Sequence, residues 1–201
     1  MKIKSLMIPN PITITDVASI TDAIEIMKIN SIRHLPVVSK SNLLKGFVTL
    51  ADLKQGLIPS MVADLTLSDL MIKDPITVDP DEDIEVAAQL IYKHKIGGMP
   101  VVKRGKVVGI ITESDILRAF IDMMGILTSS SRIDVVIGRE PGSMKKALLI
   151  IHDNGGEIIN VGMTAQHTQK RIYYFRLAAC KTAALKDALE KEGYEVVAAM
   201  D

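Results

Sequence analysis

Gly46-Phe47-Val48-Thr49-Leu50-Ala51-Asp52 and Gly109-Ile110-Ile111-Thr112-Glu113-Ser114-Asp115 are two copies of one pattern. Each has a glycine, two apolar residues, a threonine and, three positions on, an aspartate. The likeness extends upstream. Pro36-Val37-Val38 recurs as Pro100-Val101-Val102, Pro11-Ile12-Thr13 as Pro75-Ile76-Thr77, and Leu6-Met7-Ile8 as Leu70-Met71-Ile72, all at an offset of 64. The closing pattern sits at 63, so one residue is lost in the turn before it. Self-similarity at a fixed period marks an internal repeat.

Each copy reads as strand, helix, strand, strand, helix. Ile20, Ala23, Ile24 and Met27 form an apolar helical stripe, and Ile84, Ala87, Ala88 and Ile91 repeat it. Ser19 and Asp83 stand at the N-cap positions. Strands are expected over 35–38 and 44–49, and over 99–102 and 107–112, with a leading strand at each Pro-Ile-Thr. The final helix of each copy is expected to start at its aspartate. A copy is too short to bury a good core alone, so the two are expected to pack face to face as one module.

The Pro-Ile-Thr, Pro-Val-Val and glycine-to-aspartate motifs, present in both copies, resemble a tandem cystathionine-β-synthase (CBS) domain pair, or Bateman module. The resemblance covers residues 1 to about 124, with the first domain at 1–60 and the second at 61–124. A linker is expected at 125–131, ending in Ser129-Ser130-Ser131, and a separate domain at 132–201. There the order is βαββαβ. Strands fall at 133–137, 158–164, 172–179 and 194–199. Helices are striped by Met144, Ala147, Leu148 and Ile151 and by Leu185, Ala188 and Leu189. A polar hairpin spans 166–170. That order fits a ferredoxin-like fold. The Pro141-Gly142 turn before a helix and Ile159-Asn160-Val161 in the second strand resemble an ACT domain, a small ligand-sensing module. The acidic residue adjoins the turn directly, as Glu140, rather than one position earlier. The two resemblances imply an α/β (α+β) fold class, a CBS pair followed by a ferredoxin-like ACT domain. This combination is similar to the bacterial acetoin-utilisation regulatory proteins.

Composition supports a globular chain. It is 48% apolar but only 3% aromatic, and 24 Lys and Arg balance 24 Asp and Glu. The balance holds within each part: 14 basic against 15 acidic residues over 1–127, and 10 against 9 over 128–201. A nucleic-acid binder would want a basic face or stacking aromatics, so none is expected. No apolar run reaches the ~18 residues of a membrane span, and no signal peptide is read at Met1-Lys2-Ile3-Lys4. A single cysteine, Cys180, cannot form an internal disulfide, which suits the cytoplasm.

A nucleotide site needs apolar cover for the base, an acceptor for the ribose diol and donors for phosphate. Asp52 and Asp115 can accept ribose hydroxyls in charge-assisted bonds. Thr49 and Thr112, one helical turn earlier, can donate to phosphate beside a helix N-terminus. Thr-x-x-Asp is also a capping box with Asp in place of Glu, and both roles can coexist. The CBS resemblance implies that Ile12, Thr13, Ile76 and Thr77 flank the adenine, with Leu35-Pro36 and Met99-Pro100 nearby. The copies differ at Arg33-His34, which Gly97-Gly98 replace. The resemblance implies that these cations reach phosphate, so Arg33 and His34 are expected to serve the Asp115 pocket and to leave the Asp52 pocket without them. Phe47, Tyr92 and Phe120 are not expected to touch the base. The ACT resemblance implies a ligand near Glu140, Pro141, Gly142, Ser143 and Asn160.

The remaining candidates have plain alternatives. Lys103-Arg104-Gly105-Lys106 is a phosphate patch or a hairpin tip. Arg118 reaches phosphate or solvent. Asp79-Pro80-Asp81-Glu82-Asp83 binds a cation or complements a helix N-terminus. His94, His152 and His167 lack metal-ligand spacing, so no metal is expected. Tyr173-Tyr174-Phe175 places alternate rings on opposite faces of a strand. Cys180 reads as a small buried hydrophobe. No nucleophile elbow or Walker A loop occurs. The chain is therefore expected to be a non-enzymatic, homodimeric regulator. It would need no cofactor, bind AMP, ADP or ATP, and act on an unidentified partner protein. The alternatives are a sensor of S-adenosylmethionine or an amino acid, and an adaptor without ligand.

Overall fold

The computed structural model describes residues 1–55, 66–127, 130–163 and 171–201. The predicted hairpin 166–170, with His167, and Ser129 of the predicted linker lie outside them. The chain forms two compact units, Met1–Leu117 and Arg118–Asp201. The division falls earlier than the expected 124/125.

In the first unit a 3-10 turn, Ile3–Ser5, precedes β1 (Ile8–Pro9), β2 (Ile14–Thr15), α1 (Ile20–Ile29), β3 (His34–Val38), β4 (Leu44–Thr49), α2 (Leu50–Gln55) and α3 (Leu67–Leu70). The second copy gives α4 (Ile84–His94), β5 (Gly98–Lys103), β6 (Lys106–Thr112) and α5 (Glu113–Met123). One sheet has the order β2-β3-β4, the other β1-β6-β5. The leading strands begin later than Pro-Ile-Thr. Ile14 pairs with Val37 in parallel, and its counterpart Val78 makes a single bridge to Val101.

The copies exchange their lead-in segments. β1, from the first copy, pairs with β6 of the second through Ile8↔Ile110 and Pro9↔Gly109. Ile72, from the second, pairs with Phe47 of the first: Phe47 N–H donates to Ile72 O at 3.0 Å, and Ile72 N–H to Phe47 O at 2.9 Å. The repeated glycines permit this. A Cβ on Gly46 would sit 2.6 Å from Met71 Sδ and 3.0 Å from Ile72 O; on Gly109 it would collide with Met7 Sδ and sit 3.2 Å from Ile8 O.

Local caps fix the helix starts. Ser19 and Asp22 form a reciprocal capping box at α1. Asp83 occupies the N-cap of α4 but caps nothing; it pairs instead with Lys2 at 3.0 Å. α2 and α5 start just after their threonines rather than at the aspartates. The first copy's core gathers Ile14, Ala23, Met27, Leu35, Val37, Val48 and Leu53, joined by Leu67 from the second copy.

The second unit contains β7 (Ser130–Val136), α6 (Ser143–Asp153), β8 (Ile158–Met163), β9 (Ile172–Ala178), α7 (Ala183–Lys191) and β10 (Glu195–Met200). Its sheet order, β10-β7-β9-β8, is antiparallel throughout. That is the ferredoxin-like arrangement read from the sequence. Ile133, Val135, Phe175 and Leu177 pack on Ala147, Ile151, Leu185 and Leu189 from the two helices. Ser130 and Ser131 are strand rather than linker. Ser131 Oγ donates to Cys180 O and accepts from Cys180 N–H, both at 2.8 Å. Cys180 is half-buried against this core rather than fully inside it.

Candidate functional site

Thr49 and Thr112 end their strands, and the next residue opens a helix. Asp52 Oδ2 accepts from Thr49 N–H (3.0 Å) and Thr49 Oγ1–H (2.7 Å). Asp115 Oδ2 accepts from Thr112 N–H (2.8 Å) and Oγ1–H (2.7 Å). The hydroxyls in turn accept the aspartate N–H at 3.3 and 3.4 Å. Each threonine proton is therefore committed to its aspartate, so the predicted donation to phosphate is not set up here. Each Oδ1 accepts no hydrogen bond among the described residues. The capping pair thus engages one carboxylate oxygen of each aspartate and not the other.

Capping alone does not mark a site. Thr66 and Asp69 repeat the contact, with Thr66 N–H and Oγ1–H donating to Asp69 Oδ2 at 2.9 and 2.6 Å. That pair lies exposed at the short α3 and lines neither of the two cavities described next. What sets Thr49 and Asp52 apart is the cavity around them.

That cavity holds about 620 Å³. The first copy contributes Arg33, His34, Phe47, Thr49, Asp52 and Lys54, and the second Ile72, Asp74, Pro75, Ile76, Lys95, Gly97, Gly98 and Glu113. A smaller cavity of about 280 Å³ is lined by Ile8, Asn10, Pro11, Ile12, Ser31, Ile32, Arg33, His34, Ile110 and Thr112. Asp115 does not line it, but is tied to Thr112, which does.

Arg33 and His34 line both cavities, which corrects the expectation that the Asp52 side lacks them. The reason is steric. A Cβ on Gly97 would stand 2.9 Å from His34 Nε2, so the second copy carries glycine where the first copy's imidazole arrives. His34 also stacks on Phe47, with centroids 5.8 Å apart and planes 15° from parallel. Burial first, and the Arg33 charge second, pull the His34 pKa below its ordinary value. The larger cavity faces Arg33, Lys54 and Lys95 against Asp52, Asp74 and Glu113, an even balance. The smaller one has Arg33 and no carboxylate in its lining.

The other predicted contacts divide. Ile12 (41% exposed) and Ile76 line cavities; Thr13 and Thr77 line neither. Leu35 and Met99 are fully buried, and Pro36 and Pro100 are buried beside them. β3 and β5 are covered on both faces, so alternation does not turn these residues toward a ligand. Phe47, Lys54, Lys95, Glu113 and Ile72 were not expected in the lining. The matching Asn10-Pro11 and Asp74-Pro75 pairs are the sequence signal that would have drawn attention to Asn10 and Asp74.

The family model for the CBS domain matches residues 3–58 and 67–122. The chain belongs to the CBS-domain family. A homoserine O-acetyltransferase of Methanocorpusculum labreanum is 38% identical over 114 residues, 56% of this chain and 23% of that protein. The CBS-family chain thus spans under a quarter of that enzyme's length. Among solved structures, the CBS domain pair of protein MJ0100, in complex with 5′-methylthioadenosine and S-adenosyl-L-methionine, is 33% identical with a TM-score of 0.56, covering 60% of this chain and 95% of that one. A putative acetoin utilization protein of Vibrio cholerae is 32% identical (TM-score 0.57; 63% and 94% covered). CBSX2 in complex with AMP is 29% identical (TM-score 0.54; 60% and 96% covered). Each match covers about 60% of the CBS-family chain.

The weaker candidates take structural roles. Lys103 pairs with Asp79 at 3.3 Å and closely with Asp81, which Lys4 also reaches at 2.9 Å. Those two lysines hold the Asp81 pKa at about 2. The acidic run is thus met by lysines, and Lys103 is no free phosphate donor. Arg118 Nε lies 3.9 Å from Asp122. Among the described residues no cluster of His, Cys, Asp or Glu fits a metal, and no helix is long and apolar enough to cross a membrane. Glu140, Pro141 and Gly142 form an exposed turn, Gly142 adopts φ 90°, and Ser143 O accepts from Tyr194 O–H at 2.7 Å. Asn160 Nδ2 donates to Met123 O at 2.9 Å and lines a cavity that none of residues 140–143 joins.

Proposed function

We propose that the CBS pair senses an adenine nucleotide (AMP, ADP or ATP) and that its occupancy regulates a partner protein, without catalysis by this chain. The 620 Å³ cavity carries the reading: its volume suits a small-molecule site, Asp52 offers a free carboxylate oxygen for ribose, and Arg33, Lys54 and Lys95 offer charge for phosphate. The AMP complex of CBSX2 supports it. Isothermal titration of the full chain with AMP and ATP tests it. Saturable binding that weakens in Asp52→Asn is expected. Absence of heat and of any thermal shift at millimolar nucleotide would count against it.

One observation favours a second reading, S-adenosylmethionine or 5′-methylthioadenosine. The larger cavity balances three cationic against three acidic side chains, which suits a ligand carrying both signs, and the MJ0100 pair binds both compounds. Titration with these two beside AMP separates the readings. The C-terminal unit is read as an ACT-type regulatory domain, supported by its strand order and its Pro141-Gly142 turn. A homodimeric, cytoplasmic regulator of acetoin or acetate metabolism fits the resemblance to the Vibrio cholerae protein. Sedimentation at varied concentration tests the dimer.

A further inference from the structure

The sheet of the C-terminal unit has a second face, away from its helices. One row across that face runs Met200, Arg132, Arg176, Asn160, because Met200 pairs with Arg132, Arg132 with Arg176, and Arg176 with Asn160. Two arginines therefore stand directly opposite each other on neighbouring strands. Like charges in that relation destabilise a sheet unless something compensates them.

Among the described residues, only one of the two pairs with a carboxylate. Arg132 Nε and Nη2 donate to Asp134 Oδ1 and Oδ2 at 2.7 and 2.6 Å, and its guanidinium lies 4.7 Å from the Tyr174 ring centre. Asp134 is almost fully buried, and both its oxygens are taken. Arg176 Nη1 donates to the neutral Ser130 Oγ at 2.9 Å, and among the described residues no carboxylate pairs with it. Beside the arginines lies a cavity of about 300 Å³ lined by Met124, Ile126, Arg132, Asn160, Tyr174 and Arg176. Met124 reaches in over Gly162, where a Cβ would meet its Cε at 3.3 Å. Asn160 spends its Nδ2 on Met123 O, and its Oδ1 accepts no hydrogen bond among the described residues.

We infer that this sheet face binds a small organic carboxylate with an apolar branch. The carboxylate sits at Arg176 and Arg132, where a guanidinium fork matches its geometry. The branch packs on Met124, Ile126 and the Tyr174 ring, and Asn160 Oδ1 takes a hydroxyl hydrogen. The site does not depend on the ACT reading or on the nucleotide reading. It uses none of residues 140–143.

The test is methyl NMR of the full chain with labelled methionines, Met124 being assigned through Met124→Leu. The probes are 2-hydroxyisovalerate, its uncharged amide 2-hydroxyisovaleramide and inorganic phosphate. A saturable shift of the Met124 methyl with 2-hydroxyisovalerate is expected, at least tenfold tighter than with the amide. Phosphate, lacking the branch, should bind more weakly than 2-hydroxyisovalerate. Arg176→Gln should weaken the hydroxy acid at least tenfold, and Arg176→Lys less. A Met124 methyl that ignores all three probes overturns the inference, and so does equal response to acid and amide. Binding of phosphate as tight as the hydroxy acid rejects the apolar part and with it the proposal. The wild-type comparison of acid with amide stands even if a variant fails to fold.

Discussion

Asp52 is asked to do two jobs, and a pair of substitutions separates them. In Asp52→Asn the side-chain carbonyl can still accept Thr49 N–H, so most of the capping contact at 3.0 Å survives while the charge is lost. In Asp52→Ala both contacts go. Loss of a capping side chain costs about 0.5–2 kcal/mol, so Ala should lower the urea-unfolding free energy by about that much and Asn by less. Ligand binding should rank differently. Hydrogen bonds to a charged group are worth about 1.5–3 kcal/mol, which is roughly ten- to hundredfold in affinity for one lost ribose bond. The free Oδ1 makes that bond in both readings of the ligand, so AMP and S-adenosylmethionine should lose alike. Calorimetric titration beside urea denaturation reads both axes. Asn that binds nucleotide as tightly as wild type, while Ala is destabilised, refutes the ligand role and leaves a helix cap.

Arg33→Ala should weaken binding in both cavities rather than one, because the side chain lines both; the fitted number of sites and their affinities in a calorimetric titration with ATP read this, with about a tenfold loss at each site. Gly46→Val and Gly109→Val should each cost about 1–3 kcal/mol in urea unfolding, since each places a Cβ against the exchanged segment, 3.0 and 3.2 Å from the Ile72 and Ile8 carbonyls; wild-type stability in either would mean the exchanged segments are not docked in solution. His34 is held below its ordinary pKa of 6.5 by burial, so the unfolded chain takes up this proton first as pH falls. Its contribution is therefore whole above about pH 6.5 and shrinks below it; His34→Gln should flatten that part of the stability–pH profile, and an unchanged slope would show that the imidazole is not buried.

The repeat was legible because three motifs kept one spacing, and spacing survives whatever the tertiary context does. The C-terminal strand order was legible for a similar reason: alternation and helical stripes separate cleanly there. The exchange of lead-in segments was not. Leu6-Met7-Ile8 and Leu70-Met71-Ile72 were recognised as equivalent, but so short an apolar run does not say which sheet it joins. Only the glycines hinted at it, and a glycine in a strand signals close approach without naming the neighbour. Leu35 and Met99 were misplaced because a strand covered on both faces reads like one whose alternate residues face a site. Lys54 and Lys95 belong to no motif; they reach the larger cavity by tertiary placement alone. Ser130-Ser131 read as linker because serine clusters usually do, yet Ser131 Oγ both donates to and accepts from the Cys180 backbone.

The geometry also constrains how occupancy is felt. The larger cavity takes Phe47 and Asp52 from one copy and Ile72, Ile76 and Gly97 from the other, so anything bound there touches both. Phe47 and Ile72 are themselves joined by two backbone hydrogen bonds. A ligand in that cavity therefore bears on the contact that holds the copies together. It shifts their arrangement only by as much as it prefers one arrangement over another. The same Arg33-His34 turn walls the smaller cavity, with Gly97 leaving the room His34 needs. A ligand that draws Arg33 and His34 toward one cavity changes a wall of the other, since both residues line both. Linkage makes any such effect reciprocal, so the two cavities of this module are not independent unless the turn stays fixed. A titration of one cavity with the other filled reads that directly: an affinity that depends on occupancy of the other cavity in the wild type, and no longer does in Arg33→Ala, identifies this segment as the coupling element.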